Sequence, residues 1–281
     1  MSPFKKFVSG QARLFESGKK LSPPHFKKPA RKSLRNAPRV LIFSPHPDDE
    51  CIVGGLALRL LHEAKWNIVN VAVTLGSKTE RKAARLRELK NACEFLGFAL
   101  IIAGLEKINL ETRKKSSAHW NTAVKIISKI LAEQKPRAIF LPHEDDVHMA
   151  HIGTHFLILD ALKKLPRTFE CFVVETEFWG QMENPNLLVE IGADELAGLA
   201  AALSFHAGEV KRNPYHARLP AWMMDNVRRG AEIVGGNGAV APDFVFGTIY
   251  RLQKWCGGKL ENYFAKGKFL DTAKNAAGLF R

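Results

Sequence analysis

Cysteine is scarce in this chain of 281 residues. There are four, Cys51, Cys93, Cys171 and Cys256, far apart and without a CxxC pair. That usage excludes a disulfide scaffold and a thiolate zinc site, and it fits reduced thiols in a cytoplasmic protein. Long hydrophobic runs are also missing. No stretch approaches the roughly 18 uninterrupted apolar residues of a spanning helix. Lys5 and Lys6 are not followed by the apolar core of a secretory signal, so none is expected. Gly54-Gly55 is no GxGxxG fingerprint, so no nucleotide site is expected there. There is no internal repeat and no long low-complexity tract.

Acidic residues are outnumbered, 28 Asp and Glu against 42 Lys and Arg, for a net charge of +14. The excess sits at the two ends. Residues 1–38 hold ten basic residues against Glu16 alone, and residues 253–281 hold six against Glu261 and Asp271. Residues 39–252 are nearly neutral. The ends therefore read as a basic arm (1–38) and a basic helical extension (253–281) on a globular domain (39–252). Such tails are solvated arms or contacts for an anionic membrane surface; a nucleic-acid partner is not expected. Trp255, Tyr263, Phe264, Phe269 and Phe280 lie among the C-terminal lysines. They describe either an interfacial amphipathic helix or a terminal helix pinned to the domain.

From residue 39 onward, short β-branched runs alternate with amphipathic stretches. Strands are predicted at 39–44, 68–75, 99–103, 137–142 and 171–177. Helices are predicted at 52–65, 79–96, 119–134 and 151–164, then at 193–206 and 220–234. Residues 178–192 read as a loop and 244–252 as a late strand. This alternation predicts an α/β, Rossmann-like three-layer fold with a mostly parallel sheet and helices on both faces. In such a fold the carboxyl ends of the strands share one edge, where ligands bind.

Two clusters fall at predicted strand ends. The first is Ser44-Pro45-His46-Pro47-Asp48-Asp49-Glu50, behind Val40-Leu41-Ile42-Phe43. Its three crowded carboxylates repel one another unless a cation sits among them. The second runs from Pro142 to His155 and holds four histidines and three carboxylates, with His148, His151 and His155 spaced i, i+3 and i+7 at the start of a helix. Imidazole and carboxylate without thiolate suit a catalytic zinc or another first-row divalent ion. His143 and His155 are as consistent with a structural role as with a functional one.

Residues 46–50, His-Pro-Asp-Asp-Glu, resemble the opening motif of the PIG-L, or LmbE-like, family of zinc-dependent N-deacetylases. His148-Met149-Ala150-His151 resembles that family's His-Pro-Asp-His motif at its outer positions. Weaker likenesses are Arg85-Leu86-Arg87-Glu88 with Leu96-Gly97, and Ala202-Leu203-Ser204-Phe205-His206. The resemblance spans roughly residues 39–250. It implies His46, Asp49 and His151 as metal ligands, Asp48 as general base and His148 as a histidine that either supports the ligands from behind or stabilises the oxyanion. Ala150 replaces the aspartate that would orient His148, and Asp145 and Asp146 stand nearby. The implied activity is hydrolysis of the N-acetyl group of an N-acetylglucosamine-type sugar or conjugate, a small-molecule substrate. The alternatives are a metal-dependent amidase acting on a non-sugar amide and a metal-binding relative without deacetylase activity. Residues 213–229, polar and aromatic, are either a substrate grip or a surface segment.

Overall fold

The computed structural model describes residues 2–26, 34–115 and 117–281. Its strands are β1 (Arg39–Ser44), β2 (Asn67–Ala72), β3 (Ala99–Ile102), β4 (Ala138–Pro142), β5 (Cys171–Thr176), β6 (Leu187–Glu190), β7 (Gly247–Cys256), β8 (Lys259–Asn262) and β9 (Lys268–Leu270). They form one sheet in the order β3-β2-β1-β4-β5-β7-β6-β9, with β8 on β7. The five strands β3 to β5 in that order are parallel, and β7 pairs antiparallel with β5 and β6. The helices are α1 (Pro3–Gly18), α2 (Asp49–Ile52), α3 (Gly55–Ala64), α4 (Thr79–Leu96), α5 (Leu110–Lys114), α6 (Ala118–Gln134), α7 (Met149–Leu162), α8 (Ala193–Ser204), α9 (Ala207–Arg212) and α10 (Tyr215–Gly235), followed by a 3-10 turn at Ala276–Phe280.

The continuous apolar runs of the strands exist because both faces of the sheet are covered. Successive residues point to opposite faces. Val40, Ile42, Ala138 and Phe140 pack with α3, α4, α8 and α10. Leu41, Phe43, Ile139 and Leu141 pack with α6 and α7 on the other side. Each fully buried side chain of this kind is worth about 1.5–3 kcal/mol, so a register slip of one residue would send apolar groups into the wrong layer. The three-layer reading of the sequence is the architecture observed. Strand order reverses at β1, which lies between β2 and β4. The two histidine-bearing segments follow β1 and β4, on either side of that switch point.

Four expectations are corrected. The first helix is not continuous over 52–65: α2 ends at Ile52 and α3 begins at Gly55. A Cβ on Gly54 would sit 2.3 Å from the carbonyl oxygen of Glu50, and one on Gly55 would sit 2.7 Å from Ile191. Only glycines let the chain turn so close to the sheet. Residues 178–192 are not all loop. Leu187, Leu188 and Val189 are fully buried in β6, and the Asn-Pro-Asn before them ends a turn instead of extending it. The helix predicted from 220 begins at Tyr215, with Pro220 inside it; buried His216 and Leu219 anchor the turn before the proline.

The last correction concerns the ends. The C-terminal extension is not helical and does not begin a new unit at 253, because β7 runs through that position to Cys256. Trp255 and Phe280 are buried on opposite faces of the sheet, and Tyr263 stacks edge-on against Phe172 at 4.9 Å. The aromatics thus belong to the domain core. At the other end the basic arm holds a helix, α1, and Phe26 meets Phe95 and Phe205 at 5.3 and 5.5 Å. Lys27, Lys28, Arg31 and Lys32 lie outside the described residues. No helix among the described residues is long and apolar enough to cross a membrane.

Candidate active site

The loop after β1 is pinned before any chemistry is considered. Thr74 donates its hydroxyl to the carbonyl of Pro45 at 2.7 Å. The His46 amide donates to Asp49 Oδ2 at 2.7 Å, closing the loop on itself. Asp48 is held at φ 117°, a left-handed conformation that aspartate tolerates better than most residues but that still stores strain. Its amide donates to Glu50 Oε2 at 3.0 Å, and Glu50 Oε1 accepts from His206 Nε2 at 2.7 Å. Glu50 and His206 are both fully buried. The last residue of the opening motif therefore clamps the backbone of Asp48 from below, and the histidine of the late Ala-Leu-x-x-His segment supports that clamp.

The loop after β4 meets it. His148 is the N-cap of α7, and its Nδ1 accepts from the Ala150 amide at 3.2 Å. His151 follows one turn on and is buried. The ligating atoms of His46, His148 and His151 all lie within 4.8 Å of one another. Asp49 reaches the same point, with Oδ1 3.6 Å from His151 Nε2 and Oδ2 3.9 Å from His46 Nδ1. All five residues singled out from the sequence, His46, Asp48, Asp49, His148 and His151, are thus brought together. Asp146 does not orient the ring of His148. It accepts from the His148 amide at 2.8 Å and lies 3.5 Å from His151 Nδ1, so it faces His151. A main-chain amide, that of Ala150, meets the His148 ring.

The electrostatics describe a site short of positive charge. Burial pushes His46 down to about 3, helped by the facing His151 and His148. Burial also lowers His148. Burial raises Asp49 to about 6, and it raises Asp48 well above the carboxylate range with the charges of Asp49 and Glu50 adding to it. For His151 burial opposes the charged ring, but Asp49 and Asp146 outweigh it and raise the value. Neither ring nitrogen of His151 has a hydrogen-bond partner, although the residue is 1% exposed. Buried polar atoms are seldom left so. A dication among His46, Asp49 and His151 would take up Nε2, which faces Asp49, leave Nδ1 to Asp146, and let the carboxylates ionise together. The donor set fits zinc or another first-row divalent ion.

Asp48, Asp49, His46 and His148 line one end of a cavity of about 590 Å³. Its walls include residues that the sequence did not mark as site residues. Phe178 stacks on His151 at 5.1 Å and on Trp179 at 4.8 Å, and Tyr215 closes on both aromatics at 6.4 and 6.1 Å. Arg85 and Arg212 converge on the carboxylate of Glu209 at the cavity wall. Arg85 stood in a weak motif and Tyr215 in the 213–229 segment; Trp179 and Glu209 carried no local signal. Within 213–229 only Tyr215 lines the cavity. His216 binds the carbonyl of Gly18, and Arg228 and Arg229 pair with Asp225 and Glu177. His143 and His155 stay out of the centre: His143 is held by the Gly180 carbonyl at 2.9 Å, and His155 belongs to a separate buried cluster.

The model of the PIG-L family, described as GlcNAc-PI de-N-acetylase, matches residues 41–162. A probable N-acetyl-alpha-D-glucosaminyl L-malate deacetylase 2 of Bacillus cereus is 27% identical over 142 residues, covering 46% of this chain and 62% of that protein's length. Among solved structures, the N,N'-diacetylchitobiose deacetylase of Pyrococcus horikoshii superposes with a TM-score of 0.55 at 18% identity, over 90% of this chain and 93% of its own. GalB, the 4-carboxy-2-hydroxymuconate hydratase of Pseudomonas putida, superposes with a TM-score of 0.56 at 18% identity, over 77% and 95%. Likeness at that identity shows a shared fold, and the two names show that this fold carries more than one reaction. The matched segment holds both histidine motifs, and with them His46, Asp48, Asp49, His148 and His151.

Proposed function

We propose that the chain is a metal-dependent N-deacetylase that hydrolyses the N-acetyl group of an N-acetylglucosamine-type sugar or conjugate. The observation that carries this reading is the meeting of His46, Asp49 and His151 at the unpartnered Nε2 of His151, beside Asp48 in the cavity lining. In this reading His46, Asp49 and His151 hold the ion, with zinc the best fit to the donors. Bound there, it supplies Lewis acidity to the amide carbonyl and lowers the pKa of water.

Asp48 is the general base. It takes a proton from the attacking water and returns it to the departing amine, which leaves acetate and a free amino sugar. The Glu50 and His206 clamp on its backbone keeps the carboxylate at a fixed place relative to Asp49. His148 stabilises the oxyanion that forms on the amide oxygen. Because the Ala150 amide donates to Nδ1, neutral His148 carries its proton on Nε2 and can donate it there. One such donor is typically worth about 3 kcal/mol in the transition state. Trp179 and Tyr215 offer ring faces to a sugar, and Arg85 and Arg212 offer donors to its hydroxyls or to an acidic aglycone. The four free cysteines fit a cytoplasmic setting for this chemistry.

The test is acetate release from a panel of N-acetylglucosaminyl compounds and non-sugar acetamides, with and without chelator. Chelator-sensitive release confined to the sugars is the expected result. Release only from non-sugar amides would move the assignment to a general amidase. Bound zinc with no release from any compound would leave a metal-binding protein. Elemental analysis of His151→Ala should show loss of the ion, whereas His148→Ala should retain it.

A further inference from the structure

The N-terminal helix α1 stands apart from the body. None of its residues is buried. Phe4, Phe7, Val8 and Leu14 are 82%, 65%, 63% and 68% exposed. At 100° per residue these four fall on one side of the helix, an i, i+3, i+4, i+10 stripe. Lys5, Lys6 and Arg13 fall on the other side, with Ser9 and Ser17. Lys19 and Lys20 follow the last turn. Glu16 is the only acidic residue of the helix and is paired with Lys19 at 2.6 Å. Among the described residues Lys5, Lys6, Arg13 and Lys20 make no ion pair.

The contacts of the helix with the described part of the domain lie near its C-terminal end. Phe15 lies under the Arg218 guanidinium at 4.7 Å, the Gly18 carbonyl accepts from His216 at 3.1 Å, and Gly18 packs on Ala217. All three partners belong to the first turn of α10, next to Tyr215 in the cavity wall. These contacts lie at the last turn, and Phe4, Phe7, Val8 and Leu14, N-terminal to them, stay exposed.

We infer that α1 is an interfacial helix that docks the protein on an anionic lipid surface. The stripe of Phe4, Phe7, Val8 and Leu14 would lie among the acyl chains at the headgroup boundary, with the lysines and Arg13 on the headgroups. Charge decides between this occupant and a protein. Protein interfaces are depleted of lysine, whereas helices that lie in a bilayer interface combine a bulky apolar side with a Lys/Arg-rich one. Anionic headgroups complement these charges. The contacts with α10 would then hold the cavity wall within one helical turn of the anchor. The inference assumes nothing about the reaction.

The experiment is co-sedimentation of the full chain with vesicles of phosphatidylcholine alone and of phosphatidylcholine with phosphatidylglycerol, at low and high salt. Binding to the anionic vesicles is expected, weakened by salt and absent from the neutral ones. The double variant Phe4→Ser, Phe7→Ser should lower the bound fraction by about tenfold or more. Its melting temperature should match that of the parent chain, because these side chains pack on nothing. Lys5→Glu with Lys6→Glu should lose the anionic preference while leaving the stripe intact. A chain that stays in the supernatant with both vesicle types would overturn the inference. So would equal binding by the serine variant, or a dimer in analytical ultracentrifugation that this variant dissolves.

Discussion

Two groups of histidine and carboxylate stand at the same edge of the sheet with similar spacing and opposite electrostatics. In the first, His46, Asp49 and His148 line a cavity with His151 buried behind them, and burial drives Asp49 up to about 6. In the second, Glu144, His155 and Glu175 also bring their ligating atoms within 4.8 Å of one another. There Glu144 is driven down to about 2, first by its hydrogen bond from His155 and then by Arg251. The difference is a guanidinium. Arg251 bonds Glu175 through Nε and Glu144 through a terminal nitrogen at 3.1 Å. It lies across from Glu175 in the pairing of β5 with β7. The second cluster carries its own cation and is a structural network. The first has no guanidinium bonded among its donors; burial pushes Asp48, Asp49, His46 and His148 toward their neutral forms, and of these donors only His151 is shifted toward its charged form, by Asp49 and Asp146. Ligand spacing alone does not mark a metal site; Asp49 is shifted up where Glu144, bonded to Arg251, is shifted down.

The largest effect should come from the open cluster. Asp48→Asn should lower turnover by about 10²–10⁴ while bound metal, measured by elemental analysis, stays at the parent level. Near-native rates on the true substrate would remove Asp48 from the role of base.

Next, Arg251→Met should destabilise the fold by about 3–5 kcal/mol in urea unfolding, because Glu175 is left as a buried charge without a partner. Native stability in that variant would mean that the second cluster is not held by its guanidinium, and the contrast would fail.

A smaller effect is expected at the support beneath Asp48. Glu50→Gln weakens a charge-assisted bond on each side and should cost about tenfold in turnover with little change in KM. An equal loss in metal content would make Glu50 a support of the ion and not of the base.

The mildest change concerns acid. Glu144 lies below its ordinary 4.5 in the folded chain, so it stabilises the fold above that pH. The contribution is lost as pH falls from about 4.5 toward 2. It is modest because the carboxylate is partly exposed. Arg251→Met should flatten that part of the melting-temperature profile; an unchanged slope would place the acid sensitivity elsewhere.

Much of the site was legible because its donors are local. His46 to Glu50 lie in five consecutive residues behind an apolar strand, and His148 and His151 sit one turn apart at a helix start. Strand-end position then brings the two segments together in any parallel sheet of this order. Trp179, Tyr215 and Glu209 were not legible as lining residues. They come from a loop, a helix start and a short helix, and no periodicity says which side chain turns inward. The C-terminal aromatics misled for a related reason: lysines between aromatics look alike on an exposed helix and on an edge of a sheet.

The sequence by itself determined which atoms can bind a cation and where the parallel strands run, since both follow from short apolar runs and the residues directly behind them. The tertiary structure alone decided that His151 meets His46 and Asp49 beside the cavity while His155 joins the Arg251 network, and that the amphipathic helix lies at the N-terminal end. The physical reason is distance along the chain. Arg251 is about a hundred residues from His155, and only the pairing of β7 with β5 delivers its charge to one cluster and withholds it from the other.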